Sequence, residues 1–527
     1  MGGMIMKKIA IILVAAAATL VSCQKENVYN GEMTQLTFTV KREAPTSDSK
    51  AILSGTSVVF EDNDNLSVFA QNSTNYLFET VKGGDEAEFT GSAPNDAGSY
   101  LIASPYNDSY SQLSASVLQY TIPEVQVATP GSADPNALIS IGKGFPGSPV
   151  TLYNAVALFQ IVVPGGLAVK NIQIGGGRGS TMGICGKFQF NTNEKTITPV
   201  SMSSIITLVP QPGQSTIAPG TYYVAVRPKP DYDNGLVVAY VNGSNQLCKR
   251  VTSKEMPTFY VYRNHILPLG ELNTTDYTAV TGVSVLRPYQ NEATGTQFTS
   301  RIKTLAAGGT LVSAVDTDNN IKKVVFKAHT LYPQTYKDTD HLISAGGEPP
   351  LSSVQMHAYF NDGVIYVCTE APEIVLHSTS GNLFRDCAAL EEVVFDDVST
   401  MPSTSFTYMF RNDTKIKKVD FGNADLSNVN DYSFMLANCG KLEHLSFGDT
   451  GFYASANLEK ALKNITGIKY LYFGPNFTLT SNCTEFLTGA AGVSNSCDLY
   501  CSQSMYDALV ASDKAGFTSA FFTHHAL

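Results

Sequence analysis

The C-terminal third of the chain repeats itself with a step of 26 residues. Leu390, Ile416, Leu442 and Ile468 keep that step, as do Phe395, Phe421, Phe447 and Phe473, and Val393, Val419, Leu445 and Leu471. The pairs Leu383-Phe384, Met409-Phe410, Met435-Leu436 and Ala461-Leu462 share the register, and Phe486-Leu487 follows within a residue. One copy is too short to bury its own apolar face, so neighbouring copies must stack. A short strand such as Val419-Asp420-Phe421 then supplies one wall of a shared core and Met409-Phe410 the other. The expected interior is Leu390, Phe395, Ile416, Phe421, Leu442, Phe447, Ile468 and Phe473.

A period in the twenties with L-x-x-L-x-F spacing is the signature of leucine-rich repeats, so residues 301–527 are expected to form a short solenoid of that kind. An earlier degenerate copy is expected at 321–326 and another strand at 374–376. At the end a strand (498–500), a short helix (505–511) and an aromatic cluster (517–522) break the pattern as a cap would. His524 and His525 are read as solvent-exposed residues at the terminus.

Ahead of the repeat the texture is mainly β. Leu36, Phe38 and Val40 alternate with Thr37, Thr39 and Lys41, a half-buried strand at period two. Segments 58–60 and 66–69 read as a strand pair around an Asx-rich turn, and 100–104 is a strand stopped by Pro105. A second block starts near Pro149 with one long strand in which Ala155, Ala157, Phe159, Ile161 and Val163 share a face. Strands at 205–209, 221–226, 236–240 and 266–270 follow, with no helical pattern between them, which is the profile of a β-sandwich. The Thr-rich stretch after Leu272 reads as a linker.

The N-terminus reads as an export signal. Lys7 and Lys8 precede an uncharged run of thirteen residues, 9–21, too short for a bilayer that needs about 20. It ends in Leu20-Val21-Ser22-Cys23, which resembles the lipobox of bacterial lipoproteins. The resemblance implies cleavage before Cys23, lipidation of its thiol, and stable anchoring by several acyl chains. The remaining eight of the nine cysteines are too sparse for a disulfide framework and are read as buried free thiols. A formal charge of −11 argues against a nucleic-acid partner, which would demand clustered Lys and Arg.

Candidate chemistry reduces to turns. Asp316-Thr317-Asp318-Asn319-Asn320 imitates a calcium loop, but Ile321 stands where Gly is required and Lys327 where the bidentate Glu should be. The acidic run 61–64 reads as an Asx turn, and Gly175-Gly176-Gly177-Arg178-Gly179 as a hairpin loop without the strand–helix context of a phosphate cradle. No hydrolase, zinc-protease or P-loop motif occurs. No enzyme activity, cofactor or metal is expected.

The order of features ahead of the repeat resembles the fimbrillin family of bacterial pilus proteins. It is carried by 36–40, Ser57-Val58-Val59-Phe60 leading to Asp64 and Val68-Phe69, Tyr100…Pro105-Tyr106, Ile122-Pro123…Gln126, the strand 154–163, and Pro219-Gly220-Thr221-Tyr222-Tyr223. Members often carry a Trp before the acidic turn; here Phe60 stands there and the chain has no Trp. The resemblance implies two transthyretin-like or Ig-like sandwiches. The expected layout is a signal (1–23), a tether (24–34), two sandwiches (35–147 and 148–272), a linker (273–300) and the repeat (301–527). The segment around Met409-Phe410, 416–421 and 425–429 resembles the BspA-like repeat of bacterial surface proteins. Cys387 and Cys439 match its Cys position; Asp413 and Ile465 replace it elsewhere.

What the resemblance implies is a cell-surface fimbrial adhesin anchored in the outer membrane; because linker and repeat follow the sandwiches, where a shaft subunit would need a strand free to donate, a tip or accessory position is expected. Partner subunits would add a strand in place of Leu36, Phe38 and Val40 after cleavage at Arg42. The bland reading of Arg42 is a solvated loop residue. The repeat would present a face to a host or bacterial surface protein. The alternative is a monomeric surface lipoprotein capturing glycan or host protein, although the lack of Trp counts against sugar.

Overall fold

The computed structural model describes residues 32–43, 59–95, 98–176, 183–228, 235–251, 261–289, 297–333, 336, 338–345, 351–490 and 496–527. The protein is mainly β. Cys23 and the rest of the export signal lie outside the described residues, as does Gly177-Arg178-Gly179.

The first strand, Met33–Arg42, begins inside the stretch read as tether and turns Leu36, Phe38 and Val40 into a core. Phe38 meets the ring edges of Phe78 and Tyr100 at 5.5 and 5.4 Å. This strand pairs antiparallel with Glu86–Pro94 and, at its end, parallel with Val150–Asn154. It thereby closes a barrel with Ser140–Gly144, Tyr100–Ser104, Asn65–Phe69 and Asn75–Glu79. The expected sandwich is a closed barrel here, because one strand joins both edges and removes them. The strand pair around the acidic turn is also corrected. Asn65–Phe69 pairs with Asn75–Glu79 and Tyr100–Ser104, while Phe60 only bridges Gly84.

The boundary expected at 147/148 does not follow the hydrogen bonding. Val150–Asn154 belongs to the barrel, whereas Val117–Ile122 pairs with Cys185–Asn191 and with Ser111–Ser114, and Val125–Val127 pairs with Ile205–Val209. Leu118, Tyr120 and Ile122 alternate inward there and pack with Phe188 and Phe190 in a second core. Gln126 acts as a peptide group in that core. Its amide nitrogen donates to Ala225 O at 2.7 Å, and Ala225 N–H donates to its oxygen at 2.9 Å.

The strand Leu236–Asn242 has no polar alternation, and both of its faces are covered. Leu236, Val238 and Tyr240 enter the second core, while Val237, Ala239 and Val241 pack with Leu247 and Leu331. Leu331 comes from the 301–527 region, and its N–H donates to Gln173 Oε1 at 2.7 Å. The 273–300 stretch is not a free linker. Thr278–Ala279 pairs with Leu247–Val251, Ser284–Val285 pairs with Ile374–Leu376, and the helix Phe298–Ala306 starts inside it. Lys303 of that helix is fully buried, and its ammonium donates to the carbonyls of Ala314, Asp316 and Arg385 at 2.8, 2.7 and 2.7 Å.

The third region is a nine-stranded sheet. Val364–Thr369, Lys323–Lys327, Glu392–Val394, Lys418–Asp420, His444–Ser446, Tyr470–Tyr472, Cys497–Cys501 and Phe522–Ala526 run parallel in that order, and Met356–Asn361 adds an antiparallel edge. Lys418 pairs with His444 and His444 with Tyr470, one period at a time. An in-register parallel ladder puts equivalent side chains about 4.8 Å apart. The phenylalanines obey this spacing: successive centroids from Phe326 through Phe395, Phe421 and Phe447 to Phe473 lie 5.0, 4.6, 5.6 and 5.3 Å apart. Leu390, Ile416, Leu442 and Ile468 are buried in the same core. Where the chain leaves each strand, adjacent turns approach so closely that a Cβ at Gly448 would lie 2.2 Å from Gly422 O, and one at Gly474 2.3 Å from Gly448 O.

Candidate functional site

Alternation along each ladder strand sends one residue inward and its two neighbours outward. Leu445, Leu471 and Leu499 are buried, so His444, Tyr470, Tyr472 and Tyr500 stand half-buried on the outer face. His525 joins them from the edge strand, in register with Tyr500. The His444 ring lies on Tyr470 at 4.4 Å and 1°, Tyr470 faces Tyr500 at 5.1 Å, and Tyr500 lies on His525 at 4.5 Å and 14°. Tyr470 and Tyr500 therefore have rings on both sides and turn their edges to solvent. Such a row offers phenol hydroxyls and ring nitrogens rather than open π faces.

Tyr472 donates its hydroxyl to Asp449 Oδ1 at 2.7 Å, and this bond holds its phenol up at about 12. Burial pushes His444 below its ordinary value and Tyr470 above its own, so both stay neutral at pH 7. His525 Nε2 lies 3.0 Å from Asp498 Oδ1. His524 stacks on Tyr506 at 4.2 Å. Both terminal histidines thus have specific partners, contrary to the expectation of mere exposure. Sequence reasoning followed the inward column and passed over the outward one; the same register, read one residue to either side, would have found it.

A second column was also legible and was missed. Asp386, Asn412, Asn438 and Asn464 keep the 26-residue step and all adopt φ between 60° and 68°. Asn and Asp tolerate this left-handed region best among residues with a side chain. Asn412 Nδ2 donates to Asp386 Oδ1 at 2.6 Å and Asn464 Nδ2 to Asn438 Oδ1 at 2.8 Å.

The eight described cysteines are free and buried. In the Cys387–Cys439 column, Asp413 takes the intervening place and accepts the Cys387 N–H at 2.9 Å. Burial drives the Asp413 carboxyl well above the usual carboxylate range. Among the described residues no cluster of His, Cys, Asp or Glu is arranged to hold a metal ion, and no helix is long and apolar enough to cross a membrane. The calcium-like loop is a turn, with Asp318 Oδ1 accepting the N–H groups of Asn320 and Ile321 at 3.0 and 2.8 Å. In the acidic run, Asp64 Oδ2 accepts the Glu61 N–H at 2.9 Å.

Arg42 is not a solvated loop residue. Its guanidinium donates to Ser140 Oγ at 2.9 Å and Ser104 Oγ at 3.0 Å. The next residue is clamped too: Glu43 N–H donates to Leu152 O at 2.8 Å, and the Glu43 carboxylate pairs with Arg263. A protease could reach the Arg42–Glu43 bond only after this segment opened.

No family model matches the chain, and no curated protein matches it. Among solved structures, a putative cell adhesion protein from Bacteroides uniformis is similar at 9% identity, with 46% of this chain and 95% of that chain covered and a TM-score of 0.30. A fimbrial assembly protein from Parabacteroides distasonis is similar at 12% identity, covering 47% of this chain and 94% of that one, with a TM-score of 0.23. The tip fimbrial protein Mfa3 from Porphyromonas gingivalis with C-terminal truncation is similar at 10% identity, covering 47% and 99%, with a TM-score of 0.20. Scores this low decide nothing about this chain.

Proposed function

We propose that this chain is a cell-surface adhesin, exported as a precursor that reaches the outer membrane by lipid on Cys23, whose ladder grips a protein partner through the outer ring row. The observation that carries the reading is the edge-on row His444, Tyr470, Tyr500 and His525. Sugars stack on open ring faces, and here the central faces are taken. Tyrosine edges with hydroxyls suit protein contacts, where rigid aromatic area costs little conformational entropy. The BspA-like leucine-rich-repeat assignment belongs to this reading.

The fimbrial part of the proposal is a tip or accessory subunit. The first strand fills a gap between Glu86–Pro94 and Val150–Asn154. Its removal would leave a groove lined by the former contacts of Leu36, Phe38 and Val40, which a strand from another subunit could fill. The clamp on Arg42 and Glu43 favours the second reading, a permanently lipidated monomer with the strand retained. N-terminal sequencing of the mature protein separates them: a start at Glu43 supports assembly, and a blocked Cys23 supports the monomer.

The adhesion test displays the full chain on cells as wild type and as the Tyr470→Ala, Tyr500→Ala double variant. Wild-type cells should attach to host or bacterial surfaces, and the variant should lose most attachment. Protease treatment of the target should abolish binding while periodate oxidation of its glycans should not. The reverse pattern would sink the protein-partner reading.

A further inference from the structure

Arg42 is a half-buried cation with no ion-pair partner within 4.0 Å among the described residues, although Glu61 and Asp64 share its cleft at longer range. Its acceptors, the hydroxyls of Ser104 and Ser140 and the Leu138 carbonyl, are all neutral. The guanidinium lies 4.7 Å from the centre of the Phe60 ring. Its Nε–H is buried with no acceptor, and among the described residues it makes no ion pair within 4.0 Å. Burial brings the group down to about 10, with Asp64 opposing at longer range. A buried donor left without an acceptor costs stability, and a charge without a direct partner adds to that cost.

The same guanidinium lines a cleft of about 240 Å³ where the barrel meets the second core. Val59, Pro105, Leu138 and Leu158 give this cleft apolar surface, and Glu61 and Asp64 add two carboxylates. We propose that the cleft binds a small monocarboxylate, its carboxylate paired with Arg42 and its apolar body against Leu138 and Leu158. This site is independent of the ring row and of the adhesion reading. Glu61 and Asp64 oppose any anion in this cleft, so only a carboxylate in direct contact with Arg42 is held, and a diacid meets that repulsion twice. The cleft is smaller than the ~300 Å³ at which drug-sized pockets begin. Its occupant is therefore a short free acid or the C-terminal residue of a polypeptide; the two share the recognised chemistry.

Calorimetric titration of the full chain tests this with hexanoate, hexanamide, adipate, and a capped peptide ending in leucine as free acid or carboxamide. Hexanoate or the free-acid peptide should bind, both amides should fail, and adipate should bind more weakly than hexanoate. Binding by hexanoate alone assigns a free acid, and by the peptide alone a polypeptide terminus. Arg42→Gln should weaken binding at least about tenfold, as expected for loss of a charged hydrogen bond. Ser132→Phe, a bulky ring at another lining position, should block binding with Arg42 intact and carries the test if Arg42→Gln does not fold. The proposal is overturned if neither free carboxylate binds, if an amide binds as well as its acid, if adipate matches hexanoate, or if the folded variants bind like wild type.

Discussion

In the barrel, Thr37 pairs with Thr90 and Val40 with Val150, so neighbours in space are remote in sequence. In the ladder, Val419 pairs with Val393 on one side and Leu445 on the other, one period away each time. The barrel is closed and each strand needs two particular partners. The ladder is open and each turn needs only an equivalent turn above and below, which makes its stability a sum over neighbours. Closure by distant segments costs loop entropy before any contact rewards it. The barrel should therefore fold as one unit, whereas the ladder tolerates a change in length.

Deleting residues is the harshest way to break this contrast. Removing 416–441 joins Lys415 to Leu442 and leaves every remaining turn with an equivalent neighbour. The shortened chain should keep its β circular dichroism and a cooperative melt. Removing 86–111 takes out the antiparallel partner of the first strand and should abolish folding of the N-terminal half, seen as protease sensitivity throughout it. Equal damage from the two deletions would show that the ladder is as closed a unit as the barrel.

Phe421→Ala sharpens it. Phe421 lies between Phe395 and Phe447 at 4.6 and 5.6 Å, so truncation should cost about 3–5 kcal/mol in denaturant melts. Hydrogen exchange should rise in the turns beside it and stay unchanged in the barrel.

Asp413→Asn has the smallest expected effect and tests the one acid in the cysteine column. Its carboxyl is raised in the folded state, so the folded chain holds a proton that the unfolded chain releases. Stability from this group is intact below the ordinary value of 3.8 and falls as pH rises from there towards the folded value. The loss is at most about 1.4 kcal/mol per pH unit. The amide variant should flatten that decline where it begins, just above pH 4, in chemical denaturation. An unchanged slope would place the decline elsewhere.

These two regions also differ in what could be read before folding. The column Phe395, Phe421, Phe447 and Phe473 stacks as its spacing demands, because a parallel in-register ladder turns a sequence period directly into contact. Individual strands such as Met33–Arg42 were visible from alternation alone, since alternation marks a face. Which strand lies beside which was not. Val117–Ile122 and Val150–Asn154 exchange cores relative to their order in the chain, and no local pattern encodes that choice.

By itself, the amino-acid sequence determined the period, the inward column, the positions of most strands and the burial of the cysteines, because each follows from spacing and side-chain polarity within a short window. Only the tertiary structure decided that the first strand closes a barrel, that Leu331 covers the outer face of Leu236–Asn242, that four rings stack in a row outside the ladder, and that Arg42 lines a cleft with Glu61 and Asp64. Those outcomes depend on which distant surfaces exclude water from one another. That exclusion is a property of the assembled chain, with no counterpart in any one segment.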